Sequence, residues 1–417
     1  MRPLHLWMLN HYAQSPRLPG GTRHFELAAR LGAMGFDITL IGSGFHHVTR
    51  SAEPTVTELA ADSDFRMVSI PGRIRYQRNG LARMLGMAEF AVRVLRWGRK
   101  REHRTDASPD LVFASSPHLL AAWAGMRLAR RYRVPFVFEV RDLWPDSLVA
   151  LGALSERHPL VWMLRRLERQ LIRRADLIVS LLPDAHLHMR QVCPRVGDIL
   201  WLPNGANVAP DDSVAMDHVE HDEMTVMYVG AMGRANVLCD LLDAAETVGR
   251  ESVDRIRFVL VGEGPEKAAL QQRAVDRGLC NVAFRAAVPK TEVPSLLARA
   301  DICIALLEDT PLYRFGISLN KLFDYMAAGR PIVFAGNVAH NYVQLAQCGI
   351  TVPPRNAQAI AEAIETFHGM TAADRLAMGE RGRQYVKVHH SWDGLAAILA
   401  DALDTVAARS LVQWGES

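Results

Sequence analysis

The chain has 417 residues, 49% apolar and 22% charged. That composition belongs to a folded globular protein and excludes a disordered, collagen-like or small disulfide-stapled chain. At about 150 residues per domain, the length provides for two large domains or three small ones. Lys and Arg number 48 against 45 Asp and Glu, a net charge of +3. This is too small for a general nucleic-acid binder, although it can conceal a local basic patch.

Five dispersed cysteines, Cys193, Cys239, Cys280, Cys303 and Cys348, form no C-x-x-C pair. Neither a structural zinc site nor a disulfide framework is expected, and a reducing compartment fits. Residues 1–10 lack the charged start and cleavage site of a signal peptide. The uncharged stretch 111–126 is too short and too polar to cross a bilayer. The expectation is a cytoplasmic protein.

In chain order, short apolar runs alternate with helical spacing. Residues 4–9 read as a strand, 21–34 as a helix with Phe25, Leu27, Ala28, Leu31 and Met34 near one side, and 36–41 as a second strand. Runs 111–114, 135–140 and 177–180 continue the pattern. An acidic stretch without Lys or Arg, 203–223, breaks it, and strands at 225–230, 257–262, 301–306 and 331–334 restart it. Apolar strands alternating with helices imply parallel sheets covered on both faces. The expected fold class is α/β, with two doubly wound Rossmann-like domains. Its divisions are 1–205, a linker at 206–223, a second domain at 224–385, and a helical segment at 386–417 that packs back on the first domain.

Ligands of open α/β sheets bind beyond the carboxyl ends of the strands, so candidate residues are sought in those loops. After the first strand, Gly20 and Gly21 permit close backbone approach, and Thr22 is placed to cap the next helix. Gly42-Ser43-Gly44 follows the second strand and lacks the third glycine of a dinucleotide fingerprint. Arg141-Asp142-Leu143-Trp144-Pro145-Asp146 ends a buried-looking strand with four charged or aromatic groups. In the second half, Gly230-Ala231-Met232-Gly233-Arg234 combines glycines with a cation suited to a diphosphate. Gly262-Glu263-Gly264-Pro265 follows the next strand, with Lys267 read as an exposed helix lysine. Ser318 is expected to cap a helix over 319–328, whose N-terminus suits an anion, while Asp324 can accept hydrogen bonds from a ribose. Asp62-Ser63-Asp64 has a two-carboxylate spacing but precedes a strand, away from any ligand loop.

The stretch 73–104 is electrically unusual. It carries ten Lys or Arg against two acids, interleaved with Leu, Met, Val and a Trp. A basic amphipathic helix fits an anionic membrane surface. The expected patch comprises Arg73, Arg75, Arg83, Arg93, Arg96, Trp97, Arg99, Lys100 and Arg101, with a neighbouring cluster at 157–174.

Together, Gly20-Gly21-Thr22-Arg23, Arg141-Asp142-Leu143-Trp144-Pro145-Asp146-Ser147, Leu202-Pro203-Asn204-Gly205, Gly262-Glu263-Gly264-Pro265 and Asn320-Lys321-Leu322-Phe323-Asp324-Tyr325-Met326 resemble the family-four retaining glycosyltransferases of GT-B architecture. The Arg-Asp-Leu-Trp-Pro version is similar to the bacterial subgroup that builds O-antigen, capsule and exopolysaccharide, some members of which are L-fucosamine transferases. The resemblance implies an interdomain cleft, a UDP-sugar donor held by the second domain and a lipid-diphosphate-linked acceptor on the first. It implies no metal or other cofactor and no nucleic-acid partner, and a place at the inner face of the plasma membrane. Donor-site residues carried over are Gly20, Gly21, Arg234, Gly264, Gly316, Ser318, Leu319, Asn320, Lys321 and Asp324. Arg141, Asp142 and His118 are the catalytic candidates. Two departures stand out: Gly316 occupies the position of the family's first Glu, and Cys239 that of its second basic clamp residue. A sugar-nucleotide epimerase or hydrolase, and a non-catalytic binding protein on a degenerate fold, remain open alternatives.

Overall fold

The structure is a computed structural model and describes residues 2–46, 51–52, 64–74, 81–100, 108–208, 223–248 and 255–415. The chain forms two compact units. Met1–Pro203, Arg314–Ser318 and Trp392–Ser417 make the first; Asn204–Tyr313 and Leu319–Ser391 make the second.

The first unit runs β1 (His5–Leu9), α1 (Arg23–Ala33), β2 (Asp37–Ser43), a small hairpin of β3 (Phe45–His46) and β4 (Ser51–Ala52), β5 (Arg66–Ile70), α2 (Leu81–Trp97), β6 (Leu111–Ser115), α3 (Leu119–Tyr132), β7 (Phe136–Val140), α4 (Asp146–Ala150), α5 (Pro159–Arg174), β8 (Leu177–Ser180), α6 (Ala185–Val192) and β9 (Ile199–Trp201). Seven strands form a parallel sheet in the order β5-β2-β1-β6-β7-β8-β9. Every residue of β1, β6 and β7 is buried, as expected for central strands covered on both faces. The strand order reverses between β1 and β6, and the loops leaving those two strands mark the crevice where a ligand sits.

The second unit runs β10 (Met224–Val229), α7 (Leu238–Thr247), β11 (Ile256–Val261), α8 (Lys267–Asp276), β12 (Val282–Arg285), α9 (Val293–Leu297), β13 (Ile302–Leu306), α10 (Asn320–Ala327), β14 (Ile332–Ala335), α11 (Tyr342–Leu345), β15 (Gly349–Val352), α12 (Ala357–Gly369) and α13 (Ala372–His389). Its parallel sheet has the order β12-β11-β10-β13-β14-β15. Here the reversal falls between β10 and β13. The chain then returns to the first unit as α14 (Trp392–Gly415), where Trp392, Leu395, Ala396, Leu399 and Leu403 join Leu27 and Leu31 of α1 in one core cluster. Each fully buried Leu contributes about 1.5–3 kcal/mol. Arg30 fastens the helix at Asp393 (2.5 Å).

Four strands in these sheets, β5, β9, β12 and β15, were not anticipated. They are short and only partly buried, carrying Arg66, Trp201, Arg285 and Gly349, so pairing with a neighbour defines them where apolar patterning does not. Most of the expected linker, and Asp62 and Ser63 of the acidic spacing, lie outside the described residues.

Candidate functional site

In the first unit, the crevice is floored by a fully buried polar network centred on Glu139. This carboxylate, one residue before the end of β7, accepts from Arg23 Nε (2.7 Å), His24 Nε2 (2.7 Å) and Ser115 Oγ (2.5 Å). Arg23 also donates to Pro203 O (2.5 Å) and Leu202 O (2.8 Å). A carboxylate can only accept, so His24 carries its proton on Nε2 and its Nδ1 accepts from Asn10 Nδ2 (2.6 Å). Burial alone would raise Glu139, but Arg23 and His24 reverse that and hold it well below the usual carboxylate range. Burial lowers His24, against the pull of Glu139.

Buried beyond the ends of the two central strands, His11 follows β1 and His118 follows β6, their rings 4.8 Å apart. Both ring nitrogens of His118 and the Nδ1 of His11 are buried without a hydrogen-bond partner. Burial, reinforced by Arg83, lowers His11 to about 3. Burial, then His11 and Arg83, lowers His118 well below the ordinary value. Both rings are therefore neutral. Arg141 donates its backbone N–H to Ser116 Oγ (2.8 Å), in the loop that leads to His118. Asp142 is exposed, and its Oδ1 closes the turn by accepting from Leu143 N (2.9 Å). Gly20 adopts φ +133°, facing Gln14, in the loop with Gly21 before α1. Thr22 sits at the cap position of α1 but makes no side-chain capping bond.

In the second unit, the loop 230–236 leaves β10 at the reversal point. Tyr228 Oη donates to Ala231 O (2.6 Å), as does Asn236 Nδ2 (2.9 Å). The loop after β11 runs alongside: Met232 N donates to Glu263 O (2.8 Å) and Glu266 N to Met232 O (3.1 Å). This contact explains Gly264, where a Cβ would fall 2.1 Å from Met232 O. From the β13 end, Glu308 N donates to Ala235 O (3.0 Å). Arg234 is exposed on this loop. Lys321, in the first turn of α10, donates to Tyr228 Oη (2.9 Å) and Asn236 Oδ1 (2.5 Å). Asp324, one turn further on, pairs with Lys290. Tyr325 Oη bonds both N and O of Val229, pinning α10 to β10.

The structure thus gathers Arg234, Gly264, Lys321 and, through α10, Leu319, Asn320 and Asp324 around one loop system. Several details differ from expectation. Leu319, not Ser318, occupies the cap position of α10, and no side chain caps that helix, because the extended backbone at 319 delays the first turn. Gly316 and Ser318 belong to the first unit with Arg314–Ser318. Gly316 has φ +93° and lies against Pro183, where a Cβ would approach Cδ to 2.4 Å. Lys267 is not a free surface lysine: it donates to Gly262 O (2.9 Å), Arg285 O (3.0 Å) and Glu263 (2.7 Å).

The basic patch contracts. Trp97 packs on Trp7 at 4.8 Å, inside the unit, because the wide Trp7 ring on β1 needs cover. Arg83 turns to Tyr12 Oη (3.0 Å) and Arg93 to Glu89 (2.7 Å). Arg73, Arg96, Arg99 and Lys100 are exposed; Arg75 and Arg101 lie outside the described residues. No helix among the described residues is long and apolar enough to cross a membrane.

Sequence reasoning overlooked Asn10, His11, His24 and Asn236. The available signal was Glu139 itself, a carboxylate within the apolar run Phe136-Val137-Phe138-Glu139-Val140, since an acid there must find buried partners.

The chain matches the family description "Glycosyl transferase 4-like domain" over residues 20–205 and "Glycosyl transferases group 1" over 223–369. It is 28% identical over 274 residues to a Mycobacterium tuberculosis GDP-mannose-dependent alpha-(1-6)-phosphatidylinositol monomannoside mannosyltransferase, spanning 60% of this chain and 68% of that one. It is 22% identical over 332 residues to a probable glycosyltransferase, WbjE, of Pseudomonas aeruginosa, spanning 76% and 79%. The solved structure of HepE from Anabaena in complex with UDP and glucose superposes with TM-score 0.68 at 16% identity, covering 96% of this chain and all of that one. With both sheets wound as GT-B sheets are and the two family matches lying one on each unit, the chain belongs to the group 1 glycosyltransferases.

Proposed function

We propose that the protein transfers a sugar, with retained anomeric configuration, from a UDP-sugar to a lipid-diphosphate-linked saccharide during synthesis of a bacterial surface polysaccharide. The observation that carries this reading is the loop 230–236, held at the strand-order reversal of the second unit beside Arg234, Lys321 and the uncapped start of α10. Cations and helix amides converging there suit the charge that develops on a departing diphosphate. Asp324 is one turn along α10 and exchanges Lys290 for a ribose hydroxyl. HepE, a structural neighbour, is in complex with UDP and glucose, which favours uridine. The likeness to L-fucosamine transferases makes an N-acetylated amino sugar the first donor to screen.

In the first unit, the reading assigns the acceptor to the crevice between β1 and β6. His118, neutral and without a hydrogen-bond partner, offers hydrogen bonds to hydroxyl groups, and Asp142 presents its carboxylate to the attacking one. Gly20 and Gly21, in the loop before α1, remain with the donor in this reading.

Calorimetric titration with UDP, with and without a chelator, tests the donor site. Tight, chelator-insensitive binding is expected. Asp324→Ala is expected to weaken it by about tenfold to a hundredfold, the worth of a hydrogen bond to a charged group. Binding of GDP alone would replace the nucleotide, and binding of neither would remove the enzyme reading.

The membrane part rests on α2. Met84, Leu85 and Val92 are exposed and, with Arg96, fall within about 120° of one another around the helix; Arg99 and Lys100 follow directly. Each basic group near an anionic surface contributes about 1 kcal/mol. Reversing Arg96, Arg99 and Lys100 to Glu should therefore cut flotation with phosphatidylglycerol vesicles by roughly a hundredfold or more. Unchanged flotation would sink this part.

A further inference from the structure

In the second unit, Lys321 is held on neutral oxygens at the edge of the loop 230–236. Lys321 Nζ donates to the phenol of Tyr228 and the amide oxygen of Asn236, and stands 4.5 Å from the centre of the Tyr228 ring. Its stem lies beneath the loop: a Cβ on Gly230 would be 3.4 Å from Lys321 Cε.

The charged groups around it are committed elsewhere or share its sign. On its own helix, Asp324 pairs with Lys290 of the turn Lys290–Glu292. From the end of β13, Glu308 faces Arg355 (3.8 Å). On the loop, Arg234 is a further cation. Burial raises Tyr228 and Tyr325, so both phenols stay neutral, and Asn236 cannot ionise. The amide end of α10 adds positive potential. Among the described residues, no carboxylate forms an ion pair with Lys321. A partly buried ammonium without a counter-charge has two remedies: it releases its proton or it acquires an anion.

We propose that Lys321 couples donor binding to proton uptake: the diphosphate group of the nucleotide draws a proton onto Lys321, and the complex forms with the ammonium while much of the free protein carries the amine. This rests on the donor site lying at the loop 230–236. Burial lowers Lys321 to about 7, which places the exchange near neutrality. Above that pH each binding event takes up to about one proton, and affinity falls by as much as about tenfold per pH unit.

The test is calorimetric titration of the full chain with UDP between pH 7.5 and 9, where the nucleotide's own phosphate no longer titrates. Each pH is measured in two buffers of different ionisation enthalpy, so that the heat counts protons. Wild type is expected to take up about half a proton or more and to lose affinity across this range. Lys321→Arg, permanently charged, should bind without proton uptake and with a flat pH profile. Lys321→Met should bind at least about tenfold more weakly at pH 7.5, also with a flat profile, while its urea midpoint stays the same or rises because an uncompensated cation has gone. Tight UDP binding by wild type without proton uptake, or an unchanged affinity in Lys321→Met, would overturn the inference and leave the donor site standing. Failure of wild type to bind UDP or GDP at any pH would overturn the donor site first.

Discussion

Between pH 6.5 and 5, His11 alone is expected to cost the first unit about 2 kcal/mol of stability and His390 to cost the second about 2, with His24 and His118 adding to the loss of the first. Among the described residues, four histidines are held neutral by burial in the folded chain. His11, His24 and His118 lie in the first unit and His390 in the second. Burial, the leading cause in each case, lowers His11 to about 3 and His390 to about 4, and lowers His24 and His118 as well. In the unfolded chain each titrates near 6.5. Above that value, neither state binds the proton and the full stability is present. As pH falls below it, the unfolded chain takes up protons that the folded chain refuses, and each histidine costs roughly 1.4 kcal/mol per pH unit until its folded value is reached. Glu139, depressed in the folded state, adds its loss only below about pH 4. Losses of this kind weigh heavily against the roughly 5–15 kcal/mol that holds a typical domain folded.

The two units can be read separately. All eight tryptophans, Trp7, Trp97, Trp123, Trp144, Trp162, Trp201, Trp392 and Trp414, belong to the first unit. Tryptophan emission therefore reports the first unit alone, and circular dichroism reports both. Urea titrations at pH 7.5, 6.5, 5.5 and 5 should show the emission midpoint falling well ahead of the dichroism midpoint. His118→Asn should flatten the emission trend by about one proton's worth. Midpoints that coincide and stay level down to pH 5 would mean the imidazoles are not locked neutral.

Glu139→Ala is expected to cost the first unit about 3–5 kcal/mol, the usual penalty for leaving a buried charge without its partner. The substitution leaves the Arg23 guanidinium, of which 1% of the side chain is exposed, without the Glu139 counter-charge, and removes the acceptor of His24 Nε2 and one of the two acceptors of Ser115 Oγ. For a unit of this size the thermal midpoint should drop by roughly 10 °C. The combined change Arg23→Met with Glu139→Met should recover a substantial part, because it removes both charges, although Leu202 O and Pro203 O lose their donor. Such recovery would separate the cost of breaking the ion pair from the net worth of having it. A loss below about 1 kcal/mol for Glu139→Ala would show that solvent or a shifted side chain rescues Arg23.

Much of this molecule was legible without coordinates. The central strands β1, β2, β6, β7, β8, β10, β11, β13 and β14 announce themselves as apolar runs, each found to within two residues of its observed bounds, because a strand buried on both faces must be apolar almost throughout. The glycines at 262 and 264 and the cation at 234 are visible as loop composition. The edge strands were not legible, because half-exposed residues carry no such signature and their ladder partners are distant in sequence. Trp97 and Arg83 also read wrongly. A basic stretch with an interleaved Trp has the composition of a membrane-facing helix, but rotation about the helix axis decides which side chains face outward, and here Trp7 claims Trp97 and Tyr12 claims Arg83.

Local chemistry, carried in composition and spacing, was enough to establish two α/β units and parallel sheets, and the resemblance carried by motifs such as Arg141-Asp142-Leu143-Trp144-Pro145 and Asn320-Lys321-Leu322-Phe323-Asp324 pointed to the family. Proximity across the chain belongs to the folded form. Arg23 meets Glu139 after 116 residues and Lys321 meets Asn236 after 85, and His11 packs at a tilt against His118 across the strand-order reversal of the first sheet. Such pairs have no periodicity and no shared motif. They exist because parallel strands place their carboxyl ends together, so residues far apart along the chain meet at one sheet edge, where burial and the charge of the neighbour set the protonation state of each.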